Sequence, residues 1–188
     1  MPHAVSNGGA IHDQNSVPSI SDIRRVARRL GRHGPCGPDK YTLKLPNGLA
    51  FSDFRGYEDW QDVAVSETEK GIKVIVANPA MMAAYKDGLP AEGKQFPDGS
   101  MVAKIEWTVK RSPESPYFVM IPDTLKSVAF IEKNTKRFPD THGWAYAEFL
   151  YDAASDRFTP NGNDAKCGYE CHSRVAAKDY IYTAYPKR

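Results

Sequence analysis

Two thiols and an imidazole lie close together near the carboxyl end of the chain, at positions 167–172 with the sequence Cys-Gly-Tyr-Glu-Cys-His. A histidine directly after the second of two neighbouring cysteines is typical of a c-type haem attachment site. In such a site the thiols add to the two haem vinyl groups, and a histidine nitrogen ligates the iron. This segment predicts that the chain folds around a covalently held iron porphyrin.

The spacing of this motif departs from the usual Cys-x-x-Cys-His by one extra residue. Because the vinyl groups have fixed positions on the ring, we expect that residue to bulge out, with Gly168 supplying the backbone freedom. Two other interpretations stay open on the motif alone: a Cys167–Cys171 disulfide, or a zinc site completed by a distant His142 or Cys36. Zinc is less favoured, since adjacent cysteine and histidine ligands are awkward and no second Cys-x-x-Cys pair occurs.

Bulk composition limits the classes of function. The 188 residues are enough for one domain with a hydrophobic core. The net charge of +2 is too small to indicate nucleic-acid binding. Aromatic residues make up 11% of the chain and include 10 tyrosines, which suits a domain that encloses a flat apolar cofactor. No run of about eighteen apolar residues occurs, so we predict no membrane span.

Three regions follow one another along the chain. Residues 1–18 are predicted to form a flexible leader. Residues 19–40 are predicted to form a basic helix and a loop, because Ser19 and Asp22 make a capping-box pattern before apolar residues at helical spacing. The arginines of this helix favour a solvated face over docking to an acidic partner. Residues 41–188 are predicted to form the haem domain.

The haem interpretation also carries an expectation about location. The first ten residues show no charged-then-apolar signal pattern. Haem c is attached outside the bacterial cytoplasmic membrane, so we expect a periplasmic protein whose signal peptide is absent from this chain.

Local patterns in the haem domain predict helices and strands. A short helix is expected at 57–65, another from Asn78 to Gly88, and a third from the attachment motif to Lys178. Strands are predicted at 72–77, 101–110, 117–121, 127–132 and 144–151, although 128–131 fits a helix equally well. Strands with turn-length gaps favour an α+β fold in which helices pack on an antiparallel sheet.

Three segments resemble those of a known family in order and spacing. They are Phe-Pro-Asp-Gly-Ser-Met-Val-Ala-Lys at 96–104, Lys-Asn-Thr-Lys-Arg-Phe at 133–138 with Gly-Trp-Ala at 143–145, and the motif at 167–172 with Ala-Lys-Asp-Tyr-Ile-Tyr-Thr at 177–183. Together they resemble the cytochrome P-460 family, the lysine-crosslinked c-type haem proteins related to cytochrome c′-beta. The resemblance covers roughly residues 41–186.

The resemblance implies a twisted antiparallel sheet packed by helices, often in a homodimer, with one covalent haem c per chain. It implies that Cys167 and Cys171 are the thioether anchors, that His172 is the proximal iron ligand, and that Lys104 bonds to the haem edge. Without the resemblance, Lys104 would be interpreted as an exposed lysine, because its strand face is mostly polar.

Two positions differ from the hydroxylamine-oxidising members that the sequence resembles. Those members carry a distal carboxylate that accepts protons, and alignment puts Ala129 there, which cannot act as a base. Lys73 stands where those members carry a distal arginine, so the charge is kept and the planar fork is lost. Glu106, on the strand face of Lys104, is a candidate substitute base. The methionines available as a sixth iron ligand are interpreted as core packing: Met81, Met82, Met101 and Met120.

The sequence therefore predicts a periplasmic mono-haem c-type cytochrome that acts on small nitrogen oxides. The sharper prediction is oxidation of hydroxylamine or nitric oxide, with electrons passed to another cytochrome. A haem protein that binds nitric oxide without turnover is the first alternative, since an apolar distal pocket favours simple binding. A haem-free interaction domain with a Cys167–Cys171 disulfide is the second.

Overall fold

The computed structural model describes residues 39–162 and 166–188, and for residues 166 and 167 it describes the backbone only. The predicted leader at 1–18 and Cys36 lie outside the described residues, as does the predicted basic helix and loop at 19–40 except for its last two residues.

One six-stranded antiparallel sheet forms the body of the described chain, and its strands lie in sequence order. The strands are β1 (Gln61–Thr68), β2 (Gly71–Ala77), β3 (Met101–Arg111), β4 (Met120–Lys133), β5 (Trp144–Asp152) and β6 (Arg157–Pro160). The helices are α1 (Pro79–Lys86) and α2 (Lys166–His172), and short 3₁₀ turns precede β1 and follow α2. The predicted α+β fold with an antiparallel sheet is confirmed.

Successive side chains of each strand point to opposite sides of the sheet, which gives it two different faces. Face A carries Ile75, Val102, Ile131, Trp144 and Tyr146, and it packs against α1 and the carboxyl-terminal segment. Face B is aromatic, and the 3₁₀ turns Phe51–Phe54 and Tyr57–Asp59 cover it. The rings of Phe54 and Phe130 stack there at 4.2 Å. The core therefore has two layers, one on each face of the sheet.

Local signals account for α1. Asn78 Oδ1 accepts a hydrogen bond from the backbone N–H of Met81 at 3.0 Å, and Pro79 occupies the first helical position. The helix ends at Lys86, and Gly88 follows with a φ of 94°, which a side chain would oppose. The predicted helix is confirmed, with Asn78 as its cap and an end two residues before the expected Gly88.

One predicted helix was wrong, and the bounds of two predicted strands differ from the structure. The helix expected at 57–65 is a 3₁₀ turn, Tyr57–Asp59, followed by edge strand β1. The strand predicted at 127–132 is confirmed within the longer strand β4, and the strand predicted at 117–121 contributes only its last two residues to β4. In both places pairing with a neighbouring strand overrides the local pattern, and each pairing contains a register shift: between Asp62 and Ala64 in β1, and around Trp107 on the partner of β4.

Candidate functional site

A cavity of about 590 Å³ lies between face A of the sheet and the carboxyl-terminal segment. Sites for small organic ligands and cofactors usually measure about 300–1,000 Å³, so the cavity has the size of a cofactor site. Its apolar lining includes Ile75, Val102, Ile131 and Ile181. The polar groups that line it are Ser66, Tyr85, Lys104, Tyr146, Glu148, Asn161, Cys171, His172, Tyr182 and Thr183.

Strand register explains why a lysine, an alanine and a glutamate meet in this cavity. Lys104 of β3 pairs with Ala129 of β4, and Ala129 pairs with Glu148 of β5. Side chains of directly paired residues lie on the same face of a sheet, so the three form one row across face A. Sequence analysis selected Lys104 and Ala129, and both line the cavity.

A hydrogen bond from one of its ring nitrogens holds His172 in the cavity lining. Its Nδ1 lies 2.6 Å from the backbone oxygen of Tyr180, and a carbonyl oxygen can only accept, so Nδ1 carries the proton. The rings of Tyr146 and Tyr182 lie 4.9 and 5.0 Å from the imidazole, centroid to centroid. This arrangement leaves Nε2 with its lone pair free, as a metal-ligating histidine requires.

Burial sets the protonation state of the same ring. Burial lowers the pKa of His172, the hydrogen bond to Tyr180 raises it, and the charge of Lys104 lowers it again, with a net decrease. The imidazole is therefore neutral at neutral pH, and only the neutral ring can donate a lone pair to a metal.

Helix α2 gives the unusual cysteine spacing a simple explanation. The helix runs from Lys166 to His172 without interruption, so positions 167 and 171 lie one helical turn apart on one side. The expected bulge between the cysteines is therefore wrong. Cys171 lines the cavity and its thiol is free among the described side chains. The side chain of Cys167 lies outside the description, and so does any disulfide it makes.

Gly168 has a role other than the one expected from the sequence. A Cβ atom at this position would lie 2.6 Å from Cβ and 2.7 Å from Cγ of Tyr146, closer than real Cβ atoms approach. The glycine therefore lets α2 lie directly on β5, which brings His172 beside Tyr146. Close approach, and not backbone freedom, explains this glycine.

Lys73 and Glu106 lie on face A outside the cavity lining. Glu106 accepts a hydrogen bond from Lys126 Nζ at 2.6 Å, and Lys73 Nζ lies 3.6 Å from its other oxygen. Burial raises the pKa of Glu106, but the Lys126 hydrogen bond and the charges of Lys73, Lys126 and Lys104 together outweigh burial, and the net pKa is lowered. A carboxylate bound by two lysines is a poor proton acceptor, so Glu106 does not suit the role of substitute base.

Glu148 is the carboxylate that sequence analysis missed. It is half-buried and lines the cavity. Asn161 fixes it twice, since Asn161 Nδ2 donates to Glu148 Oε2 at 2.6 Å and the Asn161 backbone N–H donates to the Glu148 backbone oxygen at 2.8 Å. The available signal was a single acidic residue in the otherwise apolar run at 144–151.

The residues of the cavity fit a haem. A neutral imidazole with a free Nε2, a thiol on the adjoining helical residue and apolar walls match the donors and surface that such a group needs. The hydroxyls of Tyr85 and Tyr146 are buried without a hydrogen-bond partner among the described residues, and both tyrosines line the cavity. A site with metal ligands alone finds less support, because no cluster of three His, Cys, Asp or Glu occurs within 39–162 and 166–188.

Comparison with protein-family models gives a match. The family model for cytochrome P460 matches residues 54–183, which include β1 to β6, α2 and the cavity residues described above. No curated protein matched the chain. None of the described helices is long and apolar enough to cross a membrane.

Proposed function

The chain belongs to the cytochrome P460 family of haem proteins, and from that premise we propose that it binds one covalent haem c and oxidises small nitrogen compounds, hydroxylamine or nitric oxide. The observation that carries this proposal is the protonation and hydrogen bonding of the His172 ring. Its ring is neutral, its Nδ1 proton is bound to the Tyr180 carbonyl, and its Nε2 is left for iron.

Four residues of the chain hold the haem in this proposal. Cys167 and Cys171 supply the two thioethers from one turn of α2, and His172 supplies the proximal nitrogen. Lys104 lies in the cavity lining on β3 and supplies the amine for a third covalent link. Bound haem supplies an iron with an open coordination position for a small ligand and one-electron oxidation.

Glu148 is the proton acceptor of this proposal. Oxidation of hydroxylamine releases protons together with electrons, so a base beside the substrate speeds the reaction. Ala129 has no such group, and its neighbour in the row across face A is Glu148. The amide of Asn161 holds the Glu148 carboxylate at 2.6 Å, which keeps one oxygen fixed while the other can take a proton.

A nitric-oxide-binding protein without turnover is the second candidate, and the apolar Ala129 favours it. The two functions differ in their need for Glu148, because simple binding of nitric oxide releases no proton. The remaining parts of the proposal are electron transfer to another cytochrome, a homodimer and a periplasmic location.

Haem attachment is tested by mass spectrometry of the intact chain and by the pyridine haemochrome spectrum, after expression with haem maturation machinery. We expect the mass of one haem per chain. Cys171→Ser should leave one vinyl group unsaturated and shift the haemochrome band to longer wavelength, whereas Cys36→Ser should leave the band in place. A colourless wild-type protein would favour the haem-free interaction domain with a Cys167–Cys171 disulfide.

Turnover is tested with hydroxylamine and an artificial electron acceptor. We expect Glu148→Gln to lower the rate 10²-fold or more, within the range of about 10²–10⁴ for loss of a general base, and to leave nitric oxide affinity unchanged. Glu106→Gln is the matched control, since that carboxylate lies on the same sheet face outside the cavity lining. Equal rates in wild type and Glu148→Gln would remove Glu148 from the mechanism, and a wild type with haem but no turnover would favour the binding protein.

A further inference from the structure

Two consecutive residues after α2 adopt a backbone conformation that side chains rarely tolerate. Asp179 has a φ of 49° and Tyr180 a φ of 64°, and neither is a glycine. Residues with a Cβ atom persist in this left-handed region only where the surrounding contacts determine the conformation. The segment must therefore be held by strong local contacts.

The carboxylate of Asp179 makes those contacts. Lys133 Nζ donates to both of its oxygens, at 2.9 and 3.1 Å, Trp144 Nε1 donates at 3.2 Å, and the backbone N–H of Phe96 donates at 2.7 Å. The side chains of Lys133 and Asp179 are 1% and 3% exposed. A buried carboxylate with four donated hydrogen bonds fixes its own backbone to β4, β5 and the loop before β3.

Tyr180 connects this fixed segment to the proposed haem ligand, His172. Its ring packs against those of Tyr169 and His142, at centroid distances of 5.4 and 5.1 Å, and its backbone N–H donates to the Val175 oxygen. Its own carbonyl oxygen is the atom that accepts from His172 Nδ1 at 2.6 Å. The direction of that carbonyl follows from the left-handed turn, which Asp179 holds.

We propose that Asp179 is a positioning residue for the haem ligand: through the Tyr180 carbonyl it sets how strongly His172 donates to iron. This inference rests on the proposed haem-binding role of His172. A hydrogen bond from Nδ1 makes the opposite nitrogen more basic, and a more basic nitrogen stabilises ferric iron and lowers the reduction potential. Asp179 is absent from the cavity lining, so its effect on the ligand is indirect.

The test compares Asp179→Asn with wild type in the haem-loaded protein. Asparagine keeps the size of the side chain and removes the charge that binds Lys133. We expect the iron–histidine stretching band of the ferrous protein to move to lower wavenumber in resonance Raman spectra, and the reduction potential to become more positive. Trp144→Phe removes one hydrogen bond to Asp179 and should shift both quantities in the same direction by less.

Glu132→Gln is the matched control, because Glu132 is also a buried carboxylate of an ion pair, with Arg137 at 3.0 Å, and lies next to Lys133 on the opposite face of β4. It should lower stability without moving the band or the potential. If Asp179→Asn and Trp144→Phe retain haem and lose stability, but keep the wild-type band and potential, the inference is wrong. Wild-type protein without haem in the haemochrome assay would instead refute the proposed function. If Asp179→Asn does not fold, the stretching band and the reduction potential of Trp144→Phe test the inference instead.

Discussion

Replacing Gly168 by alanine sets two known effects against each other on one helix. Alanine favours a helix over glycine by about 0.8–1 kcal/mol, so helix propensity alone predicts a more stable protein. The new Cβ, however, would lie 2.6 and 2.7 Å from Cβ and Cγ of Tyr146. Those atoms are the rigid base of the side chain, so relief requires α2 to move, and such overpacking costs about 1–3 kcal/mol. Because both contacts are shorter than 3.0 Å, the cost belongs in the upper half of that range, about 2–3 kcal/mol, and we expect a net loss of about 1–2 kcal/mol.

Urea denaturation followed by circular dichroism measures this loss, and a loss of about 1–2 kcal/mol corresponds to a fall of about 2–8 °C in melting temperature for a domain of this size. Displacement of α2 also moves Cys171 and His172, so the haem content per chain should fall. Glu170→Ala is the control, since Glu170 is exposed on the same helix and its loss should change stability by less than about 0.5 kcal/mol. A Gly168→Ala protein more stable than wild type would show that α2 does not depend on contact with Tyr146.

Three further predictions concern charged residues of face A. If Lys104 bonds to the haem, the ferric Soret band is broad and red-shifted, and Lys104→Ala should restore an ordinary c-type spectrum, whereas an unchanged spectrum would end the crosslink proposal. Lys133→Met leaves the buried Asp179 carboxylate without its counterion and should lower the free energy of unfolding by about 3–5 kcal/mol in urea denaturation, while a loss below about 1 kcal/mol would show that the pair is dispensable. Burial raises the pKa of Glu106, but the Lys126 hydrogen bond and the lysine charges together outweigh burial, so the carboxylate contributes stability that is complete above the ordinary pKa of about 4.3 and is lost as pH falls through the lower folded value. Glu106→Gln should therefore reduce the loss of unfolding free energy at acid pH. An unchanged loss would show that other groups account for the pH dependence.

Short-range patterns were sufficient for the elements that local chemistry decides. The strand at 72–77 and the Asn78 helix were predicted because β-branched residues and an amide cap act within a few positions of the chain. The same reasoning was wrong at 57–65, since pairing with β2 decides the conformation there. The site motif at 167–172 was predicted from residue types alone, but its spacing was explained only by the helical backbone.

Residues that complete the site could not be predicted because they depend on register and on distant contacts. Glu148 lies beside Ala129 only because β4 and β5 pair in one register, and a shift by one residue would turn it to face B. Lys133 and Asp179 are 46 positions apart and meet through the return of the chain across face A. Neither relation leaves a periodic signal in the sequence.

Two tyrosines that line the cavity, Tyr85 and Tyr146, have buried hydroxyls with no hydrogen-bond partner among residues 39–162 and 166–188, and they indicate the function of this face of the sheet. Tyr85 and Tyr146 are 4% and 6% exposed, and leaving a buried donor without a partner costs about 1–3 kcal/mol. Burial holds the pKa of both phenols far above the ordinary value, so each hydroxyl keeps its proton and stays a donor. Phenylalanine would fill the same volume at no such cost, which means that stability of the chain alone does not account for two tyrosines here. An occupant with oxygen acceptors at its margin does account for them, and haem, with its two propionates, is such a group.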